Sequence, residues 1–369
     1  MKLLIIARPF VFYGGVERAT AGLVRALLEH GYEVDLLSLP GQAPLAGVRL
    51  RTLPLPPLPA LGRVLALAVG ARLVAGQGRW DVVQSHERTL RQDVYRAGEG
   101  CHRAYLEAVP HPRGRGLYHR VVLALERRVF ARTPRIVAIA GAGKAEIERL
   151  YGLGPGRVSV VYNGVDLERF HPRNREIACA SARDEVAIPR DAWTLLFVGS
   201  GFERKGLRAA LEAFAALDDR GSRLLVVGRG DLRPYRGRAR ELGVEGRVAW
   251  LGPRADVERW YAAADIVVLP ALYEPFGNVH LEALASGLPV IASARAGGAE
   301  VVRDGESGRV VDPRDPGAIR AALERLRVLS PHRVAEAARR AAEPYTYAAQ
   351  VAGFARIYHE CARAKGDFP

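Results

Sequence analysis

Apolar residues in this chain fall into short, nearly continuous runs separated by longer amphipathic stretches. In the first half the runs are 3–7 (LLIIA), 33–39 (EVDLLSL), 81–85 (DVVQS), 135–140 (RIVAIA) and 158–162 (VSVVY). In the second half they are 194–199 (TLLFVG), 223–228 (RLLVVG), 248–252 (VAWLG), 266–270 (IVVLP) and 289–293 (PVIAS). A strand covered on both faces has no polar side to display, so such runs between helical patterns predict parallel sheets sandwiched by helices. Two series of them predict an α/β protein with two Rossmann-like domains.

One stretch breaks the pattern. Residues 171–190 (HPRNREIACASARDEVAIPR) lack sustained periodicity and are rich in charge and small residues. They place a first domain at 1–171, a linker at 172–190 and a second domain at 191–344. After Pro344 a helical period returns, with Tyr347, Val351, Phe354, Ile357, Tyr358 and Cys361 on one side, predicting a helix over about 345–369. No repeat of solenoid length is visible.

The length of 369 residues, too long for one typical core, agrees with two domains. Charge changes the picture more than composition does. With 54 basic and 40 acidic side chains the net charge is +14, which favours anionic partners such as phosphates, nucleic acids or acidic headgroups. Cys101, Cys179 and Cys361 are far apart and show no metal-ligand spacing, so no disulfide framework is implied and a reducing cytoplasm fits. LLIIA is too short for a signal-peptide core, and Arg63 and Arg72 interrupt the apolar stretch 60–76, which cannot supply the ~20 residues of a membrane span.

The strongest chemical signal is the run Glu274-Pro275-Phe276-Gly277-Asn278-Val279-His280-Leu281-Glu282, continued by ALASGLPV. Glu274 follows an apolar strand. The amides from Gly277 to Val279 would open a helix and favour an anion or a sugar oxygen. Glu282 lies about one turn into that helix. Carboxylates to accept from hydroxyls, next to amides that bind oxygens, suit a nucleotide-sugar. Spacing and flanks resemble the signature of glycosyltransferase family 4, the retaining transferases of GT-B fold. That resemblance implies two Rossmann-like domains facing a cleft, with the last helix crossing back to the first domain. It further implies that Glu274 contacts the donor sugar, Glu282 holds the ribose, and the donor site includes Phe276, Gly277, Asn278 and Val279.

Two glycine loops extend the resemblance. In ValGlySerGlyPheGluArgLysGlyLeu (198–207), a loop containing Gly199 precedes a helix, and Arg204 and Lys205 resemble the family's basic pair against the donor diphosphate. Glycosyl transfer leaves negative charge on the departing phosphate, so cations fixed there stabilise the transition state. No Walker A loop is present. At the end of the first strand, Gly14-Gly15-Val16-Glu17-Arg18 resembles the family's GG-x-E/Q-R element beside the donor phosphate and transferred sugar, with Glu17 on the acceptor side. The turn at 161–166 (VYNGVD) and the glycine loop at 296–311 match architectural elements of the family.

The polar stretch 85–101 follows a first-domain strand and supplies His86, Asp93 and Glu99 as acceptor-side candidates. A front-face reaction, in which the leaving phosphate takes the acceptor proton, needs no enzymic base, so these residues are read as binding groups. Residues 101–135 then hold eight Arg against Glu107 and Glu126, with aromatics interleaved. That composition suits peripheral contact with an anionic membrane. No RNA-binding motif accompanies it, and a nucleic-acid partner is not expected.

The DVY-x-A-x-acid-x-Cys pattern and the basic segment resemble the lipopolysaccharide core glucosyltransferases of the family. The implied function is transfer of glucose from UDP-glucose to a lipopolysaccharide core or related glycolipid. It would need neither metal nor cofactor and would act at the cytoplasmic face of the inner membrane. The alternatives are a soluble sugar or polysaccharide-precursor acceptor, and a non-catalytic nucleotide-sugar-binding protein.

Overall fold

The structure, a computed structural model, describes residues 1–10, 15–109 and 116–366. The chain divides into two compact units. One comprises residues 1–164 and 347–369, the other 165–346.

The first unit is built on a seven-stranded parallel sheet. Its strands are β1 (Lys2–Ile6), β2 (Glu33–Ser38), β3 (Arg49–Thr52), β4 (Val82–Ser85), β5 (Val94–Arg96), β6 (Arg135–Ala138) and β7 (Val158–Val160), in the order β3-β2-β1-β4-β5-β6-β7. Leu3, Leu4, Ile5 and Ile6 of β1 are fully buried, as a strand with helices on both faces requires. Helices α1 (Gly15–Glu29), α2 (Ala60–Ala75), α3 (His102–Ala108), α4 (Leu117–Arg132) and α5 (Gly141–Tyr151) belong to this unit.

The second unit holds a six-stranded parallel sheet. Its strands are β8 (Thr194–Val198), β9 (Arg223–Val227), β10 (Val248–Gly252), β11 (Ile266–Leu269), β12 (Val290–Ser293) and β13 (Gly308–Val311), ordered β10-β9-β8-β11-β12-β13. Its helices are α6 (Asn174–Glu185), α7 (Leu207–Ala215), α8 (Arg233–Glu241), α9 (Val257–Ala263), α10 (Asn278–Ala285), α11 (Pro316–Arg327) and α12 (Pro331–Ala342). Both sheets reverse their strand order once, between β1 and β4 and between β8 and β11. Ligands of doubly wound sheets bind beyond the carboxyl ends of the strands at such switch points.

The last helix, α13 (Tyr347–Gly366), belongs to the first unit. It buries Val351, Phe354, Ile357, Tyr358 and Cys361 against Leu3, Ile5, Leu23 and Leu27. The segment expected as a linker is instead a helix. α6 packs on α9, and Arg183, 2 % exposed, reaches Asp265 at 3.0 Å and the carbonyls of Ala263, Arg190 and Ala192. Its core contact is carried by Ala182 and a buried guanidinium, so the helix lacks an apolar stripe. β13 likewise occupies part of the stretch read as loop and turn, pairing in parallel with β12.

Candidate functional site

In the second unit the loop Gly199–Gly206 leaves β8 and enters α7. Gly206 has φ 78°, and a side chain there would collide with the Pro270 carbonyl. The close approach sets Arg204 and Lys205 against the chain leaving β11, where the Leu272 amide donates to the Arg204 carbonyl at 2.8 Å. Beyond it, the Glu274 carbonyl accepts from the Gly297 amide at 2.9 Å and the Phe276 carbonyl from the Gly298 amide at 2.7 Å. Gly277 (φ 83°) then turns the chain into α10.

This frame assembles a buried ion cluster. Glu274 Oε2 accepts from Arg204 Nη1 at 2.8 Å and pairs with the Lys205 ammonium. Arg204 Nη1 also donates to the Tyr273 carbonyl at 3.0 Å. Glu274 is 9 % exposed and Lys205 7 %. Burial disfavours the carboxylate, but the Lys205 and Arg204 charges outweigh it and hold Glu274 down at about 2. Burial pushes the Lys205 ammonium below its ordinary value, with the charges of Glu274 and Glu282 working the other way. Two cations thus share one carboxylate at the β8/β11 switch point. Among the described residues, Glu274 Oε1 carries no bond.

Glu282 lies on the second turn of α10, and its Oε2 accepts from the Tyr261 hydroxyl at 2.8 Å. The helix is buried from Val279 to Ala285, so Glu282 is an acid set into a packed interior. Phe276, 1 % exposed, packs in the same interior, while Asn278 is half-buried. Gly199 donates its amide to the Val227 carbonyl at 2.9 Å, and a Cβ there would press on the Lys205 stem at 3.0 Å. His280 was not anticipated. It is fully buried, its Nδ1 bonds the Gly277 carbonyl at 2.7 Å, and burial first, then Lys205, holds its pKa at about 4.

In the first unit, Gly15 opens α1, Gly14 lies outside the described residues, and of Glu17 only the backbone is described. His86 and Glu99 come together at the β1/β4 switch point, lining a pocket with Arg8, Thr20, Glu87 and Arg96. Arg8 pairs with Glu87 at 2.9 Å and with Glu99, which Arg88 also reaches at 3.2 Å. Tyr358 donates to Gln84 Oε1 at 2.7 Å, and Gln84 Nε2 donates to His86 Nε2 at 2.8 Å. That donation leaves the His86 proton on Nδ1, facing Thr20 Oγ1 at 3.3 Å. Burial, then the Arg96 charge, pushes the His86 pKa well below its usual value.

Asp93 is not part of this pocket. It precedes β5, at the amino edge of the sheet, where it accepts from the Val83 amide at 2.7 Å and from Lys365 Nζ at 2.6 Å. The polar stretch 85–101 contains β5, which sequence reading missed. The strand carries the chain from one edge of the sheet to the other, separating Asp93 from Glu99.

Comparison with known proteins agrees with the doubly wound architecture. Residues 13–169 match the model described as Glycosyltransferase Family 4, and residues 192–327 the model described as Glycosyl transferases group 1. The chain is 31% identical over 403 residues to a D-inositol 3-phosphate glycosyltransferase of Salinispora arenicola, covering 96% of this chain and 88% of that protein. It is 38% identical over 250 residues to D-inositol 3-phosphate glycosyltransferase 2 of Catenulispora acidiphila, where the match covers 63% of this chain and spans only 57% of the relative. Among solved structures, WaaG, a glycosyltransferase involved in lipopolysaccharide biosynthesis, superposes with a TM-score of 0.81 and 26% identity, over 99% of both chains. The two sheets are those of a GT-B transferase. The chain belongs to glycosyltransferase family 4.

Proposed function

We propose that this protein moves a hexose from a nucleoside-diphosphate donor, UDP-glucose, to a lipopolysaccharide core sugar or related glycolipid, with retention of configuration. The observation that carries the donor half is the buried cluster of Arg204, Lys205 and Glu274. Its two adjacent cations suit a diphosphate, and Glu274 Oε1, which carries no bond among the described residues, suits a sugar hydroxyl. Glu282 takes the ribose, with Tyr261 holding its other oxygen. As the bond from the anomeric carbon to the phosphate oxygen breaks, charge grows on the diphosphate beside the two cations. The acceptor oxygen bonds to the same face of that carbon, and its proton passes to the departing phosphate. No metal or cofactor enters this scheme.

The first unit supplies the acceptor side, through the pocket that His86 and Glu99 line. Support for a lipid-linked acceptor comes from the likeness to WaaG and from α4. That helix exposes Leu117 (63 %) and Tyr118 (38 %) together with Arg120, Arg127, Arg128 and Arg132, a surface suited to an anionic leaflet at the cytoplasmic face of the inner membrane. Part of the basic segment, residues 110–115, lies outside the described residues. Among the described residues no helix is long and apolar enough to cross a membrane. A second reading, a soluble acceptor, is favoured by the two relatives named for D-inositol 3-phosphate, which are closer in sequence than WaaG.

Calorimetry with UDP-, GDP- and ADP-sugars, followed by transfer from the labelled donor that binds, tests the donor assignment. Binding and turnover of UDP-glucose support it, and preference for another nucleotide replaces it. Flotation with anionic vesicles, run beside transfer to lipopolysaccharide core and to D-inositol 3-phosphate, separates the two acceptors.

A further inference from the structure

His280 lies in α10, between Glu274 and Glu282 in the chain, and is fully buried. Its Nδ1 stands 2.7 Å from the Gly277 carbonyl oxygen, which can only accept, so the ring proton is on Nδ1. Burial and the Lys205 charge keep the ring neutral. Nε2 is then a bare acceptor, with no hydrogen-bond partner among the described residues. A buried polar atom without a partner is costly, and an apolar side chain would fill the same interior without that cost. The use of an imidazole here is therefore at Nδ1.

The ring is wedged between two chain segments that only glycine permits. A Cβ on Gly298 would collide with Nδ1 and with the Phe276 carbonyl. A Cβ on Gly277 would stand 2.8 Å from Nδ1 and 3.0 Å from Glu274 Cγ, so the imidazole and the Glu274 stem flank the same glycine. The backbone of this loop is tied by the Gly297 and Gly298 amides, which donate to the Glu274 and Phe276 carbonyls. Gly277, at φ 83°, is the point where the loop is free to turn otherwise. Its carbonyl accepts from the His280 amide at 2.9 Å as well as from Nδ1, so one residue holds it with two donors.

We infer that His280 is a positioning residue for the donor sugar. Its Nδ1–H bond to the Gly277 carbonyl, with the ring packed on Gly298, fixes the loop from which Glu274 reaches the sugar. The inference rests on the donor reading given above. In that reading the diphosphate depends on Arg204 and Lys205 and the ribose on Glu282, and only the sugar depends on Glu274. A lesion at His280 is then felt by a nucleotide-sugar and hardly by the bare nucleotide. A defect of packing alone moves the melting temperature and treats the two ligands alike.

UDP-glucose and UDP are titrated calorimetrically into the full chain for wild type, His280→Leu and His280→Asn, with melting temperatures taken on the same samples. Leu keeps bulk and loses the donor, whereas Asn carries an amide nitrogen at the same distance from the backbone as Nδ1. The expected result is a loss of about tenfold in UDP-glucose affinity for His280→Leu, largely recovered in His280→Asn, with UDP affinity little changed in both. Should His280→Leu fail to fold, His280→Gln takes its place, because its amide extends to the Nε2 position and misses the carbonyl. If wild type prefers another nucleotide, that nucleotide and its sugar are the probes. UDP-glucose affinity unchanged in His280→Leu, equal losses for both ligands, or recovery in His280→Gln and not in His280→Asn overturns the inference. Wild type that binds the donor beside such insensitive variants removes this inference alone. Wild type that binds neither nucleotide nor nucleotide-sugar removes the donor reading, and this inference with it.

Discussion

The two units place cations at equivalent points of equivalent sheets and treat them differently. At the β8/β11 switch point, Arg204 and Lys205 share the Glu274 carboxylate, so the charges are positioned and largely compensated before any ligand arrives. At the β1/β4 switch point, Arg96 is buried against an amide oxygen while the neighbouring acids are engaged by Arg8. A shared carboxylate holds cations rigid for a group whose charge changes during reaction. Under the proposed function, the second unit carries the chemistry and the first the acceptor.

The largest effect that would sharpen this contrast is expected for Glu274→Ala. Removing the acid strands Lys205, 7 % exposed, beside Arg204, and loss of one member of a buried ion pair costs about 3–5 kcal/mol. Thermal unfolding should show that loss, turnover should fall on the order of 10²–10³-fold, and added nucleoside diphosphate should restore part of the melting temperature. A variant as stable as wild type would show that the carboxylate does not compensate the pair.

Acid should then separate the buried histidines from Glu274. His280 in the second unit and His86 in the first both have folded pKa values below the ordinary 6.5, with His280 at about 4. The unfolded chain therefore takes up protons first as pH falls. Stability present above 6.5 drains away below it, by about 1.4 kcal/mol per pH unit for each histidine until its folded pKa is reached. Glu274, depressed from 4.5 to about 2, contributes stability present above 4.5 and lost as pH falls through that lower window. Melting temperatures from pH 7 to 3 should show the histidine loss before the Glu274 loss, and His280→Gln should flatten only the first. An unchanged profile in that variant would remove His280 from the account.

Glu282→Gln should weaken donor binding about tenfold, the worth of one hydrogen bond to a charged group, with little change in melting temperature. Calorimetry showing unaltered affinity would take Glu282 out of the nucleotide site. The smallest effect is expected for Asp93→Ala, a loss of about 1 kcal/mol of stability from the sheet edge with unchanged turnover. A fall in kcat there would restore Asp93 to the acceptor side.

The second unit's cluster was legible in sequence because its parts are local. One loop carries Arg204 and Lys205, one run carries Glu274 and Glu282, and each follows an apolar strand. Reading them as separate jobs missed that Glu274 is also the counter-ion of the pair, which only the meeting of two loops shows. β3 and β5 in the first unit and β13 in the second share a different problem. RLRT, VYR and GRVV contain arginine and are three or four residues long, so they do not stand out as apolar runs. Missing β5 put Asp93 in the pocket and passed over Arg96, which pattern alone marks as surface charge. Helix α6 was hidden for the same reason, since the residue that anchors it is Arg183.

The central claim is that Arg204 and Lys205 stabilise the leaving diphosphate. It is tested most directly by single-turnover transfer from labelled UDP-glucose with wild type and Lys205→Ala, with donor affinity measured on the same samples. The account predicts a fall in the chemical rate on the order of 10²-fold or more with a much smaller change in affinity. A loss confined to affinity, with the rate at saturation unchanged, would contradict it.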